Sequence, residues 1–209
     1  YNGHEKVVEK LLAAGVSPEQ SVSDGNGNQS STLWIAAQNG HEKVVEMLLS
    51  KLKGPNLSDA LNKKGFNGAT ALQQAAANGR EKVVKTLLSK LEGPNLSAAL
   101  NQKVKKGTVL AHAAYMGRIE VVKLLLEAGA DPKFKPSFDK RVEPVDKNQQ
   151  KEIKGLLNEA RAAQKEAEAF IESLAPSKGR WSFRTKSTKG VADLQYKEHP
   201  SFRGIIKRK

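Results

Sequence analysis

The segment NGHEKVVEMLL at 39–49 returns as NGREKVVKTLL at 78–88, as MGRIEVVKLLL at 116–126 and, upstream, as NGHEKVVEKLL at 2–12. Its glycines, Gly3, Gly40, Gly79 and Gly117, stand 37, 39 and 38 residues apart. A period of this size means stacked supersecondary units, none of which can bury its apolar face alone. Within the unit, Val44, Val45, Leu48, Leu49 and Leu52 occupy one face of a helix, and Val83, Val84, Leu87, Leu88 and Leu91 repeat the pattern. Ahead of each run lies a second apolar segment ending in paired alanines: STLWIAAQNG (31–40), TALQQAAANG (70–79) and TVLAHAAYMG (108–117). Each predicts a short helix closed by its glycine, which lacks a Cβ and so takes the left-handed cap conformation freely. The predicted unit is helix, glycine turn, helix.

The string T-x-L-x-x-A-A-x-x-G-x-x-x-V-V-x-x-L-L resembles the ankyrin repeat, and LLLEAGADP at 124–132 resembles that family's passage from second helix to hairpin. The resemblance runs in four registers over residues 1–132. It implies an all-α solenoid of helix-turn-helix units joined by hairpin loops. A tetratricopeptide array has a similar period, but its Trp, Gly-Tyr and Pro spacing is absent.

Three departures from the family pattern matter. The family's TPLH has become STLW, TALQ and TVLA, so Trp34 and Gln73 stand in the His place and the Thr-to-His hydrogen bonding cannot be assumed. The extra length sits in KLKGPNLSDALN (51–62) and KLEGPNLSAALN (90–101). There Gly54 or Gly93 is expected to end the second helix and Asn56 or Asn95 to cap a new short one, with Leu57 and Leu61, or Leu96 and Leu100, as its apolar contacts. Finally, Gly3 is already a turn glycine, so the first unit lacks its hairpin and most of its first helix; together with a first residue that is Tyr rather than Met, this suggests a piece of a longer protein with further repeats upstream.

The expected organisation is ankyrin repeats over 1–132, a degenerate capping repeat over 133–175 and a basic tail over 176–209. In the cap, Pro144, Val145 and Asp146 stand where a first helix would start, and Ile153, Leu156 and Leu157 where the second would lie. Terminal repeats are atypical because one side faces water. Apolar residues continue at three- and four-residue steps through Ala160, Ala163, Ala167, Phe170, Ile171 and Leu174, which predicts a long helix with Arg161, Lys165, Glu166 and Glu168 on its exposed face.

Only 5% of residues are aromatic, so the core must rest on Leu, Val and Ala. There is no cysteine, which excludes thiol nucleophiles and thiolate zinc sites and fits an intracellular, cytoplasmic protein. No run of 18 apolar residues exists to span a membrane, and no signal-peptide layout opens the chain. No catalytic constellation emerges. His4 and His41 occupy the family's turn and read as structural rather than metal-binding. GRWSFRTKS (179–187) lacks the second glycine and the preceding strand of a phosphate loop. The Asn-x-Ser triplets at Asn56 and Asn95 read as helix caps rather than glycan sites. No enzyme activity, cofactor, metal or small-molecule substrate is expected.

What the resemblance implies is binding. It places a partner protein on the concave face, made of hairpin tips and the outer side of each first helix: Asn28, Ser30, Gln38 and Asn39; Phe66, Asn67, Ala69, Ala77 and Asn78; Val104, Lys105, Tyr115 and Met116. Of these, Gln38, Asn39, Phe66, Asn67, Asn78, Lys105, Tyr115 and Met116 are the expected contact residues. Phe66 at a hairpin tip either meets a partner or packs on the neighbouring hairpin. Lys63, Lys64, Lys103, Lys105, Lys106, Lys133 and Lys135 cluster in the hairpins as a rim suited to an acidic partner, or as a solvated charge row.

The net charge of +13 is uneven, since residues 175–209 alone carry +8. This tail therefore supplies a rival function: nucleic-acid or anionic-membrane binding through Arg180, Arg184, Lys186, Lys207, Arg208 and Lys209, with Trp181, Phe183 and Tyr196 stacking or inserting. The same residues also suit a targeting or secretion address. Divergent ankyrin proteins with basic C-termini further resemble effectors delivered by intracellular bacteria into host cells, which would place the protein in a host cytoplasm or nucleus.

Overall fold

A computed structural model describes residues 4–23, 29–66, 68–102, 107–134 and 145–174, with backbone alone for 171–174. Unit 1 is represented by α1 (Glu5–Ala13). Unit 2 opens with the antiparallel hairpin β1 (Ser21–Ser23) and β2 (Gln29–Ser31), pairing Val22 with Ser30, and continues through α2 (Thr32–Asn39), α3 (Glu42–Lys51) and α4 (Gly54–Asn62). Unit 3 holds α5 (Ala71–Ala77), α6 (Glu81–Ser89) and α7 (Gly93–Asn101). Unit 4 holds α8 (Val109–Tyr115) and α9 (Ile119–Glu127), and α10 (Lys147–Leu174) follows.

The first helices begin where a hydroxyl can cap them. Ser31 Oγ accepts from Trp34 N, Thr108 Oγ1 from Ala111 N, and Thr70 with Gln73 forms a reciprocal capping box. They end at Gly40, where φ is +82°, and one residue further on at Gly79 and Gly117. First helix packs on first helix, α2 on α5 on α8, and second on second, α3 on α6 on α9. The Val-Val and Leu-Leu faces meet the alanine pairs in one continuous core: Val45, Val84 and Val122 are fully buried, as are Ala37, Ala76 and Ala114. Alanine is what allows close approach of these helices, since a larger side chain there would overpack the interior.

The residues in the place of the family's His reach forward. Trp34 Nε1 donates to Ala69 O at 2.9 Å, and Gln73 Nε2 donates to Gln102 O at 3.1 Å, so each ties its unit to the hairpin region of the next. Both donors are buried, where an unmade hydrogen bond costs most. Trp34 also dictates its neighbour: a Cβ at residue 65 would lie 2.5 Å from its ring, so only glycine fits at Gly65.

The inserted segments are helices, but they start earlier than the sequence suggests. Gly54 and Gly93 open α4 and α7 rather than closing α3 and α6, and Lys53 and Glu92 stand at the N-caps without a side-chain bond. Pro55 and Pro94 lie in the first turn, where a missing N–H is no loss. Asn56 and Asn95 are therefore inside the helices and cap nothing. Leu61 and Leu100 are buried, with Leu57 and Leu96 half-buried against the core, as expected.

The cap also departs from the predicted two-helix layout. Among the described residues, Val145 and Asp146 lead directly into the single helix α10, 28 residues long; Pro144 lies outside them. Ile153 and Leu157 are fully buried and complete the core behind α9. Arg161, expected on the exposed side, is half-buried: its guanidinium donates to Pro132 O at 2.9 Å and also to Phe134 O, clasping the segment after α9. Lys165, Glu166 and Glu168 are exposed, and Glu168 pairs with Lys133 at 3.0 Å.

Two substitutions test this packing. A methyl group on Gly155, inside α10, would meet nothing within 4 Å, so Gly155→Ala should stabilise the protein by about 1 kcal/mol in urea unfolding, because alanine loses less backbone entropy. Gly65→Ala should instead destabilise by about 1–3 kcal/mol and change Trp34 emission, read in a Trp181→Phe background that removes the second tryptophan.

Candidate partner-binding surface

Stacking brings the C-terminal ends of α2, α5 and α8 into equivalent positions on adjacent units, which places Gln38 and Asn39, Ala77 and Asn78, and Tyr115 and Met116 in one register. Ala77 is buried, while Gln38, Asn78, Tyr115 and Met116 are half-buried and Asn39 is exposed. Two of the polar residues already have backbone partners, one across the stack and one within its own helix. Asn78 Nδ2 donates to Gln38 O at 3.1 Å, and Asn39 Nδ2 folds back onto Ile35 O at 2.9 Å.

The same carbonyl of Gln38 accepts from Arg80 Nε at 3.2 Å, and Arg118 Nε repeats the contact one unit later on Ala77 O at 3.1 Å. These carbonyls belong to the last turns of α2 and α5, which lack intrahelical partners and carry the negative end of the helix dipole, so a guanidinium is well matched to them. Arg80 lies across Gly40, where a Cβ would come within 2.9 Å of its Cδ; at the end of the stack Val145 fills the corresponding space over Gly117. This arginine contact gave no sequence signal beyond the replacement of His41 by Arg80 and Arg118 in the turn. Asn78, Arg118, Glu81, Glu120 and Gln149 line a cleft of about 300 Å³ at the same edge, where units 3 and 4 meet α10.

At the hairpin side, Phe66 is half-buried with its ring edge-on to Trp34, at 5.6 Å and 71°. Its N–H donates to Ser30 Oγ at 2.8 Å, while Gly68 N closes the turn onto Gly65 O at 2.9 Å. Phe66 thus touches the preceding unit and keeps part of its ring accessible. Ser30 and Ala69, placed on the partner-facing side by the family pattern, are buried and serve the stack: one caps Phe66 N, the other accepts from Trp34. Lys63 Nζ reaches Ser21 Oγ at 2.7 Å across two hairpins, and Lys64 is exposed. Asn28, Asn67, Lys103, Val104, Lys105, Lys106, Lys135 and the tail residues Arg180, Trp181, Phe183, Arg184, Lys186, Tyr196, Lys207, Arg208 and Lys209 lie outside the described residues.

On the second helices, ion pairs step from unit to unit, Glu5 with Lys43 at 3.2 Å and Glu42 with Lys82 at 3.7 Å, while Lys123 pairs with Glu120 of its own helix at 2.7 Å and with Glu152 of α10 at 3.4 Å. The hydrogen bond to Glu120 holds the Lys123 ammonium above the usual lysine range, against an opposing effect of burial. Such exposed pairs contribute little individually. Among the described residues no three His, Asp or Glu side chains gather as metal ligands, and no helix is long and apolar enough to cross a membrane.

A sequence model of ankyrin repeats, three copies long, matches residues 1–98 and 33–135. No curated protein matches the chain. Ankyrin repeats are generally protein–protein interaction modules and typically non-catalytic. With the glycine-closed first helices, the paired-alanine core and the repeating second helices all in place over the matched residues, the chain belongs to the ankyrin-repeat family.

Proposed function

We propose that this protein is a non-catalytic binding module whose ankyrin groove holds a partner protein through Gln38, Asn39, Phe66, Asn67, Asn78, Lys105, Tyr115 and Met116. The observation that carries the reading is the contrast along one register. At that register α5 carries a buried Ala77, while α2 and α8 carry Gln38 and Tyr115, which stay partly accessible, followed by Asn39 and Met116. A surface that needed only to stack would have no use for side chains that differ from unit to unit at one structural position, whereas recognition does. Tyr and Met serve interfaces well, the first as a rigid amphipathic contact and the second as an adaptable one. Lysines in the hairpins favour an acidic partner and make its association rate depend on salt.

The charge of residues 175–209 supports a second reading, in which the tail binds phosphate-bearing polymers or anionic membranes and the stack carries it. The two are separable by capture from cell lysate with the whole chain and with a chain ending at Leu174, each with and without nuclease. The groove reading requires one defined protein to be retained by both chains regardless of nuclease. Tyr115→Ala with Met116→Ala should weaken that capture about ten-fold or more while leaving the melting temperature within a few degrees. A double variant that unfolds would assign both residues to the core, and a catch lost with nuclease or with the tail would move function to residues 175–209.

A further inference from the structure

The ladder of ion pairs along the second helices breaks at one seam. Glu5, Glu42 and Glu81 are the first residues of α1, α3 and α6, and Lys43 and Lys82 are the second residues of α3 and α6. At the first two seams the glutamate of one unit therefore holds the lysine of the next, Glu5 with Lys43 and Glu42 with Lys82. Unit 4 departs from this. Its α9 begins with Ile119 and Glu120, so a carboxylate stands at the position from which the lysine would reach back. The backbone gives no reason for the change, since φ and ψ at the entry to α9 are −88° and 76°, against −84° and 70° at the entry to α6. Glu81 has no ion pair among the described residues.

The broken seam coincides with the cleft of about 300 Å³ where units 3 and 4 meet α10, and Glu81 and Glu120 line it together with Asn78, Arg118 and Gln149. Neither nearby cation closes the gap. Arg118 commits its Nε to Ala77 O at 3.1 Å, and Lys123 is divided between Glu120 at 2.7 Å and Glu152 at 3.4 Å. Glu81, Glu120 and Glu152 thus stand against two cations, a local negative excess in a chain whose net charge is +13.

We propose that this cleft receives a lysine side chain of the bound partner protein, whose ammonium pairs with Glu81 as Lys43 pairs with Glu5 and Lys82 with Glu42. The other two seams show what a glutamate at this position holds, and the cleft gives the missing cation an opening from solvent. Asn78 belongs both to the cleft and to the row at the ends of the first helices, so a chain lying over Tyr115 and Met116 comes within reach of it; as a partner contact the site rests on the groove reading. A metal ion is the poorer occupant, because among the described residues no three His, Asp or Glu side chains gather as ligands. An exposed pair of this kind adds little affinity; what it adds is selection of the partner and of its register along the groove.

The test needs no partner, so its failure is distinct from failure of the groove reading. The whole chain is titrated at low salt with Nα-acetyl-lysine amide while the backbone amide signals of Gly79 and Gly117, which line the cleft, are followed by NMR. Both signals should move and saturate, and added salt should reverse the movement. Acetylating the ligand's Nε, which removes its charge, should abolish it. Glu81→Gln should weaken binding about three-fold or more, and Glu120→Lys, which supplies the missing lysine from the chain itself, should abolish it. Glu159→Gln, an exposed site on α10 outside the cleft, should leave binding unchanged. Melting temperatures close to that of the starting chain show that the variants fold. Signals that stay still would overturn the proposal, as would equal movement with the neutral ligand or undiminished binding in Glu81→Gln or Glu120→Lys. Loss of binding in Glu159→Gln would overturn it too, by showing a diffuse attraction rather than a site.

Discussion

No unit of this protein can hide its apolar residues by itself. A second helix such as α6 presents Val83, Val84 and Leu87, and covering them takes its own first helix together with the flanking units. Full burial of such a side chain is worth about 1.5–3 kcal/mol, which no isolated helix of nine residues could secure in water. Everything else follows from this dependence. The units must stack, the first helices must carry alanines where they cross, and the end of the row must be closed, as α10 closes it with Ile153 and Leu157.

Apolar stacking alone leaves the relative placement of neighbouring units loosely specified, because hydrophobic contact has no direction. Direction comes from hydrogen bonds that cross from one unit to another. Trp34 and Gln73 reach forward to Ala69 O and Gln102 O, while Asn78, Arg80 and Arg118 reach back to the carbonyls that end α2 and α5. All five go to backbone carbonyls near a helix end or a turn, where intrahelical partners run out; Gln38 O accepts from both Asn78 and Arg80, and Ala69 O from both Trp34 and Gly65 N. The departure from the family's His therefore keeps a donor in the buried position in units 2 and 3. Ala111 takes that place in unit 4, and without a donor it can make no such bond.

The same economy shapes what is left for recognition. Ser30, Ala69 and Ala77 are consumed by the stack, and Asn78 divides itself between the stack and the surface. The side chains that remain accessible at the ends of α2 and α8 and at the Phe66 turn rest on elements packed against α5 or against Trp34.

The sequence by itself determined the repeat, its helix-turn-helix content, the glycines that close the first helices and the presence of a long C-terminal helix, because each depends on residues close together in the chain and on a periodicity of apolar positions. It misplaced the starts of α4 and α7, where the pull of asparagine toward capping concealed the stronger claim of Pro55 and Pro94 to the first turn. It also put Arg161 in solvent, since helical spacing does not reveal that residues 132–134 return beneath that side chain. Only the tertiary structure decided which outward-facing positions are spent between units: that Trp34 demands Gly65, that Arg80 lies over Gly40, that Phe66 shares its ring with Trp34. Those contacts join residues some thirty to forty positions apart, and the geometry that brings them within reach exists only once neighbouring units have stacked.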